Sequence, residues 1–404
     1  GTQASPYLVN NATDLSKVES CASTGIYFKQ TADIDLTGVN YAPIGTGSKP
    51  FNANYLGDNH SITGLLLNNS MSGVFGFVQS ATIDSLNITA TLDANSDAFV
   101  GGLAGQMYSS TVTNVDVTIE GNVSGGSAYV GGVVGYSIAN TISDVSATGS
   151  VTVTGWASRF GGIAGFVDNG SLTNATSTVD LVSDATEYLG GIVGMAYNFN
   201  LSHSSYAGTM AMTNTNFAGG AAGFLQSGQV YQVSAQPEIS VQTGNQIGGF
   251  VGQTYYTAYN QVVASGEFFF GEALRAGGLF GFQYQTAVVD SFFGGSVQGG
   301  NTPGLLSGEA ENNAYTNVHA IGSMSQYTDT DGLFGVNNGF NNFTSSFWVP
   351  DSAGLSAPVD PIEDEVANSV EDSQTALTYT NAGWSVGEGT VDLANTWTMC
   401  ESSF

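Results

Sequence analysis

The stretch GGLAGQMYSSTVTNVDVTIEGNVS, residues 101–124, holds both halves of the pattern that decides the fold. Its first five residues form a Gly-Gly-apolar-small-Gly unit. That unit returns as GGVVG (131–135), GGIAG (161–165), GGIVG (190–194), GGAAG (219–223), GGFVG (248–252) and GGLFG (277–281). Degenerate copies flank the series: SGVFG (72–76) before it, GLLSG (304–308) and DGLFG (331–335) after it. Successive copies end 27 to 30 residues apart. A fixed period of this length is the mark of a stacked repeat.

The second half of the quoted stretch alternates, as in Thr111-Val112-Thr113-Asn114-Val115-Asp116-Val117, and a further apolar segment such as Val151-Thr152-Val153 follows in the next unit. Short β-branched runs separated by Gly, Asn and Ser read as strands with tight turns. No helical period persists in the repeats. One unit cannot bury its apolar face alone, so stacked units share a core. Three short strands per unit, stacked in parallel at about 4.8 Å, give an all-β fold: a right-handed parallel β-helix of about ten rungs, roughly 48 Å long.

Two adjacent positions in each unit are apolar. Val74, Leu103, Val133, Ile163, Ile192, Ala221, Phe250, Leu279, Leu306 and Leu333 form one ladder. Phe75, Ala104, Val134, Ala164, Val193, Ala222, Val251, Phe280 and Phe334 form the next. Neighbours in a regular strand point to opposite faces. Either the glycine pair bends the strand and both ladders are core, or one ladder faces outward under a partner or the chain's own tail.

The ends depart from the repeat, as a solenoid's caps must. Residues 1–62 read as an N-terminal cap with the first strands, including a helix over Thr13–Ser20 with Thr13 as its N-cap. Residues 63–350 hold the β-helix, and 351–404 an acidic loop and a C-terminal capping segment. The opening SPYLVNNATDLSKV, the run from TADIDLTG through YAPIG to GDNHSITGLLL, the glycine repeats and the ending with SFW, AGW and TW together resemble the GLUG-motif family of bacterial surface and adhesin-type β-helices. The resemblance implies a parallel β-helix with extracellular, adhesion-related roles, and supplies no catalytic motif. The acidic insert near 360–372 and the two cysteines depart from that family's pattern.

Composition narrows the function. Of 404 residues, 55 are Gly and only 9% are charged, with 5 Lys plus Arg against 33 Asp plus Glu and a net charge of −28. Nucleic acid and anionic bilayers are bound through Lys and Arg, so neither is an expected partner. No apolar run reaches the length of a membrane span. The start without Met or charged leader reads as a mature secreted chain or an excised module, located outside the cell or at its surface.

An enzyme is not expected. Lyases of acidic sugars need cations to hold carboxylates, and Lys17, Lys29, Lys49, Arg159 and Arg275 are scattered. A glycosidase needs two carboxylates about 5–9.5 Å apart. Adjacent rungs supply such pairs, for instance Asp116 and Asp144, 28 residues apart and so nearly stacked, which read better as solvated turn residues. His60, His203 and His319 have no metal-ligand spacing and read as polar turn residues. No cofactor is implied, save that Asp360, Glu363, Asp364 and Glu365 are candidate ligands for Ca²⁺.

Aromatic residues gather late in the chain: Tyr255, Tyr256, Tyr259, Phe268, Phe269, Phe270, Phe282, Tyr284, Phe292 and Phe293. Tyr255, Tyr256 and Tyr284 are the candidate partner-binding residues, set against a plain reading of core filling. Cys21 lies in the N-terminal cap and Cys400 near the end. They pair if the tail runs back along the rod, or between molecules if these stack head to tail into a filament; two free or independently paired thiols in a larger adhesin are the third arrangement. The expected partners are therefore other copies of this chain, in an end-to-end structural filament, or a surface glycan or protein held by a monomeric stalk.

Overall fold

The computed structural model of the protein describes residues 1–95, 98–124, 126–154, 158–324 and 332–348, with further short strands at Glu365–Ala367, Val386–Glu388 and Trp397–Met399. The chain coils into a parallel β-solenoid of about ten turns, with one α-helix among the described residues. Its first 35 strands join in one sheet.

One turn is typical. Strand Ala104–Tyr108 runs to Ser109, whose φ of 46° is left-handed. Strand Thr111–Ser124 follows and is kinked at a second left-handed residue, Asn114, with φ 54°. Strand Tyr129–Gly131 then leads into the next glycine corner. Each residue pairs with its counterpart one turn on, so Phe75, Ala104, Val134, Ala164, Val193, Ala222, Val251, Phe280, Ser307 and Phe334 form one unbroken ladder.

The left-handed residues form two ladders of their own. One holds Ser80, Ser109, Ala139, Asn169, Asn198, Ser227, Tyr256, Gln285, Asn312 and Gly339. The other holds Ser85, Asn114, Asp144, Asn174, His203, Gln232, Gln261, Asp290, Asn317 and Ser345. Short polar side chains tolerate this conformation because they bond locally. Here they bond between turns: Asn114 Nδ2 donates to Asp84 Oδ1 at 2.9 Å, and Asn174 Nδ2 to Asp144 Oδ1 at 2.9 Å.

Both apolar ladders are core. Val74 with Phe75, Leu103 with Ala104 and Leu279 with Phe280 are each 0% exposed. The strand breaks between them, ending at Gly101 and resuming at Ala104, so the glycine pair bends the chain and turns both side chains inward. In the regular turns a side chain does not fit the corner. A Cβ on Gly132 would stand 2.2 Å from the Gly162 carbonyl oxygen, and one on Gly102 2.4 Å from a Val117 methyl.

Parallel pairing begins at Tyr7–Val9, which pairs with Tyr27–Gln30. The helix Ala12–Cys21 lies over this end, with Leu15 and Val18 buried in the contiguous core. Its N-cap is Asn11 rather than Thr13. Asn11 is extended, with φ −161°, and its Oδ1 accepts the Asp14 N–H at 3.0 Å. The Asp14 carboxylate reaches back to the Asn10 N–H at 3.2 Å, a reciprocal cap that Thr13, already inside the helix, cannot make.

Candidate binding groove

The glycine corner gives each turn a re-entrant outer angle. One wall carries the outward residues just before the corner: Phe99, Tyr129, Arg159, Tyr188, Phe217, Gln246, Arg275 and Thr302, in register through successive turns. The other wall carries the residues seven positions on: Gln106, Tyr136, Phe166, Met195, Phe224, Gln253, Phe282 and Glu309. The walls touch. Tyr129 meets Tyr136 edge-on at 5.2 Å, and Tyr188 meets Phe224 at 5.7 Å.

In the earlier turns the groove fills itself. Phe99 stacks on Tyr129 at 5.0 Å, Tyr136 on Phe166 at 4.8 Å, and Tyr188 on Phe217 at 5.0 Å. The Arg159 guanidinium occupies the gap in that ladder, 4.9 Å from the Tyr129 ring and 5.6 Å from Tyr188. Ring faces stacked on each other present mainly edges outward, so this stretch braces the corner.

The later turns differ. Gln246 and Gln253 replace rings on both walls of one turn. Beyond them Tyr255, Tyr256 and Tyr284 come together, with centroids 6.4 Å apart for Tyr255–Tyr256, 6.1 Å for Tyr255–Tyr284 and 5.6 Å for Tyr256–Tyr284. Tyr256 is 52% exposed and left-handed, with φ 52°. Every other position of its ladder holds Ser, Ala, Asn, Gln or Gly. A bulky residue at positive φ is an outlier, and such strain gathers at functional sites. Burial raises the Tyr255 phenol above its ordinary value, partly opposed by Arg275, so the ring stays neutral.

The three tyrosines singled out in the sequence are thus brought into one open cluster. The rest of the late aromatics divide: Tyr259, Phe268, Phe270 and Phe293 are core, while Phe269 is 42% exposed. Sequence reasoning passed over the earlier groove and the two glutamines. Their signal was the seven-residue spacing of aromatics across each glycine pair, visible at Tyr129/Tyr136 and Phe217/Phe224.

Other candidates fare differently. Asp116 pairs in register with Ser146 and accepts its hydroxyl, while Asp144 sits in the left-handed ladder, so these two carboxylates do not stack. The turn is 30 residues long at this point, so residues 28 apart fall out of phase. Of the histidines, His60 approaches Asp33 at 3.4 Å and His203 is a turn residue. His319 is instead buried, 2% exposed, and burial pushes its pKa down to about 3. Among the described residues no group of three His, Cys, Asp or Glu is placed to hold a metal. Asp360, Glu363 and Asp364 lie outside the described residues, and of Glu365 only the backbone, paired with Ser346, is described. Cys21 is an exposed thiol at the helix end, and Cys400 lies outside the described residues. No helix among the described residues is long and apolar enough to cross a membrane.

Residues 126–154 match the GLUG motif. This chain carries a GLUG motif. The matched segment is one full turn of the solenoid, from the groove strand Tyr129–Gly131 through the glycine corner to Thr154. A 132-residue stretch is 31% identical to a "Putative Gly-rich membrane protein" of Evansella cellulosilytica, covering 30% of this chain and 15% of that protein. The match thus spans a small part of that relative's length. Among solved structures, a "putative immunoglobulin A1 protease" from Bacteroides ovatus aligns over 85% of each chain at 16% identity and TM-score 0.32. Tailspike protein 3 of bacteriophage CBA120 aligns over 88% of this chain and 58% of that one, at 10% identity and TM-score 0.20.

Proposed function

We propose that this GLUG-bearing solenoid is an adhesin-like, extracellular or cell-surface binding module, and that it holds a neutral glycan at Tyr255, Tyr256 and Tyr284. The observation that carries the reading is Tyr256, an exposed aromatic held in a strained turn where its ladder otherwise uses small or polar residues. Tyrosine offers an apolar face and a polar tip together, which suits sugars. The net charge of −28 disfavours acidic glycans and nucleic acid alike. The role assigned is binding, not turnover. The GLUG motif and a relative named as a membrane protein support the location.

Immobilised neutral and acidic polysaccharides, probed with the full chain, test the reading. Saturable binding to a neutral glycan, weakened about tenfold or more by Tyr256→Ser, is expected. Absence of binding to every neutral glycan overturns it.

End-to-end assembly is a second reading, favoured by the exposed thiol of Cys21 at the capped end. The helix over the first turn leaves a covalent link, rather than continued strand stacking, as the route there. Covalent oligomers on a non-reducing gel that vanish with either Cys21→Ser or Cys400→Ser support it, and their absence from the native protein removes it.

A further inference from the structure

The turn beside the tyrosines breaks the aromatic groove with two amides. Gln246 stands in register between Phe217 and Arg275, and Gln253 between Phe224 and Phe282. The two occupy the facing positions that bring Tyr129 and Tyr136 within 5.2 Å in an earlier turn. Neither amide is at the surface: Gln246 is 7% exposed and Gln253 8%. Burying a polar group costs free energy unless it is hydrogen-bonded. Yet among the described residues the buried Gln246 Oε1 has no hydrogen-bond partner.

Gln253 is committed. Its Nε2 donates to the Tyr255 hydroxyl at 2.6 Å. That oxygen therefore accepts from Gln253 and keeps its own proton to donate. One turn of the groove thus holds an unused acceptor, Gln246 Oε1, closed off from solvent and reached by turning that side chain outward, and a hydroxyl whose own proton Gln253 does not take up, Tyr255 O–H.

We infer that Gln246 and the Gln253–Tyr255 pair form a hydrogen-bonding subsite for the hydroxyl groups of a neutral glycan, adjoining the tyrosine cluster. The inference rests on the glycan reading of that cluster and names how the chain is held. A sugar hydroxyl donates and accepts through one oxygen, so it satisfies both groups. An acidic sugar has no cation to meet here. Arg275 is paired with Glu309, which also accepts from Asn338 Nδ2 at 2.9 Å. Arg159, farther along, is held between two rings and near Glu187 at 3.8 Å.

The test uses the full chain, a panel of neutral hexasaccharides (malto-, cello-, xylo- and mannohexaose), and the best binder's partly O-methylated form. Gln246→Leu preserves size and removes the acceptor. It should weaken binding about five- to tenfold, the worth of one or two hydrogen bonds. O-Methylation should weaken binding to the native chain by a similar factor and add little to the loss in Gln246→Leu, because both remove the same contact. The ligand-side change holds the protein constant, so it reads the subsite even if the variant folds poorly.

If Tyr256→Ser weakens binding while Gln246→Leu and O-methylation do not, the subsite is wrong and the tyrosine site stands. If no hexasaccharide binds the native chain, both are wrong. Binding of an extended polypeptide such as polythreonine, in place of every glycan, also overturns the inference.

Discussion

Replacing Tyr256 with Asn separates a residue kept for binding from one kept for the fold. The left-handed conformation costs an ordinary residue about 1–2 kcal/mol, while Asn, used at the same slot in Asn169, Asn198 and Asn312, tolerates it. Against that gain stands the loss of the edge-on contact with Tyr284 at 5.6 Å, worth about 0.5–1.5 kcal/mol. A side chain 52% exposed sits toward the low end of that range. The balance is a stabilisation of about 0.5–1.5 kcal/mol, in a protein where glycan binding falls by about tenfold or more. Urea unfolding followed by circular dichroism gives the first quantity, and calorimetric titration with the bound hexasaccharide the second. A loss of more than about 1 kcal/mol with binding unchanged would refute the reasoning, since Tyr256 would then serve the fold alone.

Three further outcomes follow from the architecture. His319, with its pKa pushed down to about 3 by burial, binds a proton more readily unfolded than folded. Stability should therefore fall as pH drops below about 6.5, by up to about 1.4 kcal/mol per unit until about pH 3, and His319→Gln should flatten that limb of an acid-unfolding curve. Gly132→Ala drives a Cβ to 2.2 Å from the Gly162 backbone oxygen and should cost about 1–3 kcal/mol in the same urea assay. Asn140→Ala removes acceptance of the Ser110 N–H at 2.7 Å and donation to the Met107 carbonyl at 2.8 Å, so thermal unfolding should show a loss of about 2–3 kcal/mol from two stranded buried groups.

The solenoid was legible because its period is written in glycine. Gly102 and Gly132 stand where a Cβ would strike side chain or backbone, so the corner is visible as a glycine pair in the seven regular units. The same corner resolves the double apolar ladder. Alternation alone leaves Leu103 and Ala104 on opposite faces, and only the bend buries both. What composition could not show was phase. Asp116 and Asp144, 28 residues apart, look stacked, but they belong to different ladders because the period at that point is 30. His319 looks like a turn residue in sequence and is buried in the fold, on strand Ala314–Ala320 in register with Phe292. Tyr255, Tyr256 and Tyr284 were visible as an aromatic cluster. The strain at Tyr256 and the unpaired acceptor of Gln246 are properties of backbone angle and burial, which no residue type announces.

The most direct test of the account is hydroxyl-radical footprinting of the full chain with and without the hexasaccharide it binds. Protection should concentrate at Tyr255, Tyr256 and Tyr284, while Tyr7 and Tyr231, exposed elsewhere on the solenoid, should react equally in both samples. Protection confined to other turns, with these three tyrosines unchanged, would contradict the assignment of the site.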